Sequence, residues 1–162
     1  MHIIITGKRG VGKSTLINRI TEGLGVKILG FKTKKDGDRL CLKKIGSPCE
    51  KAVLAMKRNG RWAVEKEAFD RFAKELKDLE GADLIVVDEL GFMETESPDF
   101  CRAVSELFDG KTPILAAVRE VDIPFLEEIR SHPSCKCFYL TSENREEIYE
   151  NVSSFLRAQL GK

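Results

Sequence analysis

Short continuous apolar runs alternate along the chain with longer stretches in which apolar side chains recur every three or four residues. The runs at 1–6, 84–87 and 113–118 have the length and composition of strands buried on both faces of a sheet. The stretch 65–79 places its phenylalanines and leucines on one face of a helix. Strands that alternate with amphipathic helices predict an α/β fold with a mostly parallel central sheet flanked by helices.

The remaining elements follow from the same spacing and from helix-capping residues. Helices are predicted from residue 13 onward, over 97–108, around 125–129 and over 143–160, and a last core strand is predicted at 137–140. At 162 residues the chain has the size of one domain, spanning 1–162, which is long enough to bury a full core.

The segment 26–64 has a different pattern from the rest of the chain. Its strand-like runs lie at 26–33, 39–45, 52–56 and 61–64. The dipeptides Asp36-Gly37 and Asn59-Gly60 are typical hairpin turns. The segment therefore predicts a β-rich hairpin insertion within the domain. Its basic residues are expected to defend a solvated sheet edge, the alternative being a clamp on phosphate or nucleic acid; they are Lys32, Lys34, Lys35, Arg39, Lys43 and Lys44.

The residues after the first strand match the phosphate-loop pattern G-x-x-x-x-G-K-[ST] at every fixed position. They are Gly7, Lys8, Arg9, Gly10, Val11, Gly12, Lys13 and Ser14, with Thr15 next in the predicted helix. The glycines let backbone N–H groups approach phosphate oxygens, and the helix adds its positive N-terminal end. Lys13 places a charge on the β- and γ-phosphates, and the Ser14 hydroxyl suits Mg²⁺. Together these residues predict binding of a nucleoside triphosphate.

A second motif follows the buried run 84–87, which carries Asp88 and Glu89 to the carboxyl end of its strand. Ligands bind at that edge of open α/β sheets, so Asp88 is predicted to hold Mg²⁺ opposite Ser14. Glu89 is placed to orient and deprotonate a water that attacks the γ-phosphate, while Lys13 stabilises the developing charge. A module that only binds nucleotide does not need this glutamate, so the pair favours hydrolysis.

Other polar residues near these motifs allow two explanations each. Glu94 either lies across the same cleft, assisting water or metal, or is a solvated carboxylate before the next helix. Arg119 either supplies a positive group near the γ-phosphate or lies on the surface. Asn144 and Arg145 either contact base or ribose or decorate the start of the last helix.

Composition narrows the classes of partner. The chain has 27 basic and 26 acidic residues, so no global field points to nucleic acid or to a membrane surface. The first apolar run is too short for a signal or membrane segment. The five cysteines are odd in number and form no C-x-x-C pair, which favours reduced thiols. We therefore expect a cytoplasmic monomer.

Four segments resemble, in the same order, those of the cancer-related nucleoside-triphosphatases, a family also known from thermophilic archaea and bacteria. The segments are GKRGVGKSTL at the phosphate loop, GFKT at 30–33, VVDELGFME at 86–94 and TSENREE at 141–147. The resemblance covers nearly the whole chain. It implies a RecA-like P-loop fold and slow, Mg²⁺-dependent hydrolysis of ATP, GTP and other triphosphates with broad base tolerance.

Carried over by position, the resemblance implies that the segment 7–15 binds phosphate, that Asp88 serves the metal and that Glu89 serves the water. It also favours contacts from the 141–147 segment to the nucleotide. The chain departs from the family at Phe92, where relatives usually carry a basic residue, and at Arg119, near which they often carry a histidine.

Two other functions use the same loop. A nucleotide or small-molecule kinase would need arginines aimed at the transferred phosphate, and the insertion contains Arg39, Arg58 and Arg61. A nucleotide-dependent binding or adaptor module would hydrolyse nucleotide only incidentally. Activation by a small acceptor indicates the kinase, and activation by a protein partner indicates the module.

Overall fold

The computed structural model describes residues 1–47, 51–91 and 93–162. Its strands are β1 (His2–Thr6), β2 (Ile28–Asp36), β3 (Arg39–Ile45), β4 (Lys51–Arg58), β5 (Arg61–Val64), β6 (Leu84–Leu90), β7 (Ile114–Val118) and β8 (Cys135–Tyr139). Its helices are α1 (Lys13–Glu22), α2 (Lys66–Glu75), α3 (Pro98–Asp109), α4 (Pro124–Arg130) and α5 (Arg145–Leu160), with 3₁₀ turns at Leu76–Leu79 and Met93–Glu96. The elements expected from the sequence are all present within a few residues of their predicted bounds.

The described strands form one sheet in the order β5-β4-β3-β2-β6-β7-β1-β8. From β2 to β8 every neighbouring pair is parallel, and from β2 to β5 every pair is antiparallel. The predicted α/β fold with a mostly parallel central sheet is therefore confirmed. The strands of the parallel half all present their carboxyl ends at one edge, where α1 begins.

The described residues of the segment 26–64 form four strands, and the first of them belongs to the parallel part of the sheet. β2 pairs in parallel with β6, with Ile28 opposite Leu84 and Lys32 opposite Asp88. The other three strands extend the sheet as an antiparallel meander. The sequence pattern alone did not separate β2 from this meander, because all four runs are short and strand-like.

The hydrophobic core forms one layer on each face of the sheet. Alternation along β1 sends Ile4 to the layer under α2, α3 and α4, and sends its neighbours Ile3 and Ile5 to the layer under α1 and α5. The first layer is rich in aromatic rings; Phe31 and Phe72, for example, meet edge to face at 5.1 Å between centroids. Within the described residues, no helix has the length and apolar character needed to cross a membrane.

Candidate active site

The phosphate loop connects β1 to α1 through backbone conformations that require glycine. A Cβ on Gly7, where φ is +145°, would lie 2.6 Å from the carbonyl oxygen of Leu140. Gly12 has φ +102° immediately before α1, and a Cβ there would meet the guanidinium of Arg145 at 3.2 Å. Larger residues would therefore push the loop away from the strand and helix that frame it.

Lys13 is buried, and its ammonium group lies inside the curve of the phosphate loop. Its Nζ donates hydrogen bonds to the carbonyl oxygens of Gly7 at 3.1 Å and Lys8 at 3.2 Å. The loop thus holds a positive charge against its own backbone. Around it, Lys8, Arg9 and Gly10 are exposed, Val11 is half-buried, and Thr15 is exposed in the first turn of α1.

Ser14 and Asp88 are in direct contact across the loop and β6. The Ser14 hydroxyl donates to Oδ1 of Asp88 at 2.7 Å, although the two residues are 74 positions apart in the chain. Asp88 is 1% exposed, and its Oδ2 accepts no hydrogen bond from any part of the chain that the structure describes. Nζ of Lys32 lies 3.4 Å from that oxygen. A buried carboxylate oxygen left with coordinating capacity is suited to a cation.

Glu89 follows Asp88 and points into a cleft of about 390 Å³ beside Ser14. The peptide bond between Asp88 and Glu89 is cis. Thr33 on β2 donates its hydroxyl to the Glu89 carbonyl oxygen at 3.1 Å. Nε of Arg119, at the end of β7, donates to Oε1 of Glu89 at 2.7 Å. The carboxylate is about one quarter exposed, so water can reach it.

Cations from three elements face this cleft: Arg9, Lys32, Lys34, Lys35 and Arg119. Burial lowers the pKa of Lys35, and repulsion from the charges of Arg9, Arg119 and Lys57 lowers it further, while Glu89 opposes the shift. Like charges are thus crowded along the cleft wall. This potential is complementary to a polyphosphate.

The sequence favoured a solvated sheet edge for the basic residues of the β2–β3 hairpin. Lys34 and Lys35 are exposed, as this interpretation expects, but the edge position is wrong, because β2 lies between β3 and β6. Lys32, Lys34 and Lys35 line the cleft. The pairing of β2 with β6 places Lys32 opposite Asp88. This parallel register is set by packing between distant segments, and the lysine spacing alone gave no signal for it.

Glu94 lies in the 3₁₀ turn after β6 and is 2% exposed. Its Oε2 accepts the N–H of Gly91 at 3.0 Å. The pKa of the Glu94 carboxyl is raised to about 7, mainly by burial and to a lesser extent by the negative charge of Glu89, while the Gly91 hydrogen bond and the charge of Arg119 oppose the shift. The explanation of Glu94 as a solvated carboxylate is therefore wrong; Ser97 caps α3, since its hydroxyl accepts the N–H of Phe100 at 3.1 Å.

Arg119 is not the surface residue that one explanation allowed. Its side chain is one-fifth exposed and paired with Glu89, while Arg130 donates to its backbone carbonyl oxygen. Phe92, where the chain departs from its family, lies outside the described residues, as does Cys49. The described cysteines, Cys41, Cys101, Cys135 and Cys137, are free thiols.

The two candidate base-contacting residues differ in what they touch. The amide of Asn144 is committed to the turn before α5, because its oxygen accepts the N–H of Thr141 at 2.8 Å and its nitrogen donates to Tyr139 at 2.8 Å. Arg145 reaches the phosphate loop and donates to the Val11 carbonyl oxygen at 2.8 Å. Asn144 therefore stabilises the turn before α5, whereas Arg145 contacts the phosphate loop directly.

The three arginines of the insertion that a kinase could use do not line the cleft. Arg39, Arg58 and Arg61 are exposed on the antiparallel strands. The described lining of the cleft is built from other residues.

The fold and the site define the class of protein: a P-loop nucleotide-binding α/β protein with an acidic pair beside the loop. A family model described as NTPase matches residues 2–153. The chain therefore belongs to this family of nucleoside-triphosphatases and is an enzyme. The resemblance to cancer-related and thermophile nucleoside-triphosphatases is confirmed.

Relatives are similar over their full length. The nucleoside-triphosphatase THEP1 of Thermotoga sp. (strain RQ2) is 32% identical over 178 residues, which cover 100% of this chain and 99% of that protein. THEP1 of Methanocaldococcus jannaschii is 34% identical, with 99% of each chain covered.

Solved structures agree. The crystal structure of THEP1 from Aquifex aeolicus has a TM-score of 0.76 at 30% identity, covering 96% of this chain and 99% of that one. The solution structure of a human cancer-related nucleoside triphosphatase has a TM-score of 0.77 at 25% identity, covering 97% of each chain.

Proposed function

We propose that the chain hydrolyses nucleoside 5′-triphosphates to the diphosphate and phosphate, with Mg²⁺ as cofactor and with broad tolerance of the base. The observation that carries the proposal is the meeting of Ser14, Asp88 and Glu89 beside the buried Lys13. A hydroxyl, a metal-suited carboxylate and a water-accessible carboxylate then lie next to one phosphate-binding loop.

The Ser14 and Asp88 oxygens fit a magnesium ion. Both are hard oxygen donors, and Oδ2 of Asp88 is buried without a hydrogen bond from the described residues. When bound there, Mg²⁺ supplies positive charge to the β- and γ-phosphate oxygens. The ammonium group of Lys32 lies 3.4 Å from the Asp88 carboxylate and adds a second positive charge at this position.

The remaining steps belong to the side chains of the protein. The loop N–H groups and Lys13 bind the phosphates and stabilise charge on the oxygen that leaves with the diphosphate. Glu89 orients a water and accepts its proton as the water oxygen forms a bond to the γ-phosphorus. The bond from that phosphorus to the bridging oxygen breaks, and its electron pair stays on the diphosphate.

Base tolerance, compartment and assembly belong to the same proposal. The Asn144 amide, which could otherwise distinguish base edges, is occupied by the backbone of its own turn. Recognition therefore rests on the triphosphate, which all nucleotides share. We infer that the enzyme acts in the cytoplasm, as a monomer and without nucleic acid, where its free thiols Cys41, Cys101, Cys135 and Cys137 stay reduced.

The test is phosphate release from ATP, GTP, CTP and UTP with Mg²⁺, in wild type and in Glu89→Gln. Loss of the general base should lower kcat by about 10²–10⁴-fold while nucleotide binding is kept. Glu67→Gln, an exposed carboxylate on α2, is the matched control and should keep full activity. Chelation of divalent metal with EDTA should stop turnover.

Three results would contradict the proposal: release that Glu89→Gln leaves unchanged, release that persists in EDTA, or release from a single nucleotide only. Turnover that requires a protein partner would indicate the adaptor module instead.

A further inference from the structure

The carboxylate proposed to activate water is already engaged by an arginine. Nε of Arg119 lies 2.7 Å from Oε1 of Glu89, and both side chains line the cleft that also contains Ser14. This hydrogen bond occupies one of the two carboxylate oxygens with which Glu89 could hold a water. The pairing of Arg119 with Glu89 therefore competes with the role that we propose for Glu89.

We propose that Arg119 is a second catalytic residue: the γ-phosphoryl group draws its guanidinium away from Glu89, so that Arg119 stabilises the phosphoryl oxygens and Glu89 becomes free to accept the proton of water. This inference rests on the proposed hydrolysis. It makes the triphosphate itself the signal that activates the base.

The charges favour this exchange. Only 20% of the Arg119 side chain and 27% of the Glu89 side chain are exposed, so an anion that displaces Glu89 has to be the stronger partner. A guanidinium bonds more strongly to a phosphoryl group, whose oxygens carry more charge and can accept two parallel N–H groups. When both are within reach, the guanidinium of Arg119 should therefore bind the γ-phosphoryl group in preference to the Glu89 carboxylate.

The backbone of Arg119 is fixed, so that only its outer end can move. Its N–H donates to the Leu90 carbonyl oxygen at 3.0 Å, and its own carbonyl accepts from Arg130. Its side-chain stem lies against Gly91, where an added Cβ would meet Arg119 Cδ at 3.1 Å. With the backbone anchored in this way, the proposed exchange requires rotation of the side chain and no movement of β7.

The carboxylate of Glu94 lies close to the stem of the Arg119 side chain. The same Cβ at Gly91 would lie 3.5 Å from Oε2 of Glu94, so the arginine stem and this carboxylate flank one glycine. The buried Glu94 carboxylate and the Arg119 stem are therefore neighbours.

The test compares Arg119→Ala and Arg119→Lys with Arg102→Ala, an exposed arginine of α3 that serves as the matched control. An arginine that stabilises transferring phosphoryl charge contributes about 10³-fold or more to kcat. We therefore expect Arg119→Ala to lower kcat by about that factor, with a much smaller increase in the Kd for ATP. Lysine should restore only part of it, because it lacks the planar pair of donors.

Two further readouts exclude a merely structural role. Millimolar guanidinium chloride should restore part of the activity of Arg119→Ala and none of that of Glu89→Gln. Binding of ADP with aluminium fluoride, which resembles the transferring phosphoryl group, should weaken far more in Arg119→Ala than binding of ADP alone. Thermal unfolding of the variants should match that of wild type.

The outcomes separate this inference from the proposal on which it rests. If wild type hydrolyses triphosphates and Arg119→Ala keeps kcat within about threefold, or exceeds it, then Arg119 is not catalytic and the inference is overturned. If Arg119→Ala is slow but guanidinium gives no rescue and aluminium fluoride binding is unchanged, the inference is equally overturned. If wild type releases no phosphate, the proposed hydrolysis itself fails.

Discussion

The parallel and antiparallel halves of the sheet are built from similar strands but carry different functional groups. In the parallel half, β1 and β7 lead directly into the phosphate loop and Arg119, and β6 carries the Asp88-Glu89 pair near its carboxyl end. In the antiparallel half, strands β3 to β5 run in alternating directions, and among their described residues it is Leu40 that reaches the cleft.

The difference follows from strand direction. Parallel strands bring all their carboxyl ends to one edge, so residues distant in sequence, such as Ser14 and Asp88, become neighbours. An antiparallel meander divides its strand ends between both edges and supplies a buried face instead. We therefore expect substitutions in the parallel half to change catalysis and substitutions in the antiparallel half to change stability.

The largest expected effect is on catalysis. Lys13→Ala removes the buried ammonium from the phosphate loop and should lower kcat/KM at least about 10³-fold, or roughly 4 kcal/mol in transition-state free energy. Lys51→Ala makes the same chemical change at an exposed position on β4 and should leave kcat/KM near wild type. Steady-state phosphate release measures both. Equal losses of kcat/KM in the two variants would contradict the expectation that substitutions in the parallel half alone change catalysis.

The complementary change acts on the antiparallel half. Leu54 on β4 is 0% exposed and packs in the core layer that contains Phe31 and Phe69. Leu54→Ala should lower the free energy of unfolding by about 2–5 kcal/mol, and the folded fraction should keep the wild-type kcat. Urea denaturation measures the first and phosphate release the second. Arg58→Ala, an exposed change on the same strand, should alter stability by less than about 0.5 kcal/mol.

Glu94 lines the cleft and should also affect the stability of the fold, because its carboxyl is buried. Because its pKa rises from 4.5 to about 7 on folding, the folded protein keeps a proton that the unfolded chain has lost between those values. The contribution of Glu94 to stability is therefore most favourable below pH 4.5 and falls as pH increases toward 7. The penalty above pH 7 is of order 3 kcal/mol.

Replacement of Glu94 by glutamine keeps an acceptor for the Gly91 N–H and removes the charge. Glu94→Gln should therefore be more stable than wild type at pH 8 and nearly equal to it at pH 4.5. Glu96→Gln, at an exposed position of the same 3₁₀ turn, should show neither effect. Unfolding by urea at several pH values measures this, and a parallel pH profile for wild type and Glu94→Gln would contradict it.

The contrast between the halves also shows what the sequence could predict. The phosphate loop and the Asp88-Glu89 pair were predictable, because each is a contiguous motif attached to a strand whose apolar run is visible. The strands and helices were predictable for the same reason. The phosphate loop requires particular residues at fixed positions within eight consecutive residues, and a pattern of that length can be recognised in a single sequence.

Contacts between segments were not predictable in this way. Lys32 meets Asp88 because of the parallel register of β2 and β6, and Arg119 meets Glu89 because β7 lies beside β6. Glu94 is buried because the turn after β6 folds inward, although Thr95 and Glu96, which follow it in sequence, are polar and exposed. These arrangements depend on tertiary packing, which a single sequence does not specify residue by residue.

The smallest expected effect comes from the periphery of the parallel half. Arg145→Ala removes one hydrogen bond to the Val11 carbonyl oxygen, a net loss of about 0.5–1.5 kcal/mol, so KM should rise by roughly 2- to 13-fold with kcat nearly unchanged. The increase should be equal for ATP, GTP, CTP and UTP, because the contact is with the loop that binds the shared phosphates. Arg157→Ala, exposed on the same helix, should leave KM unchanged. An increase of KM for one nucleotide only would indicate that Arg145 contacts the base, and that α5 takes part in substrate recognition.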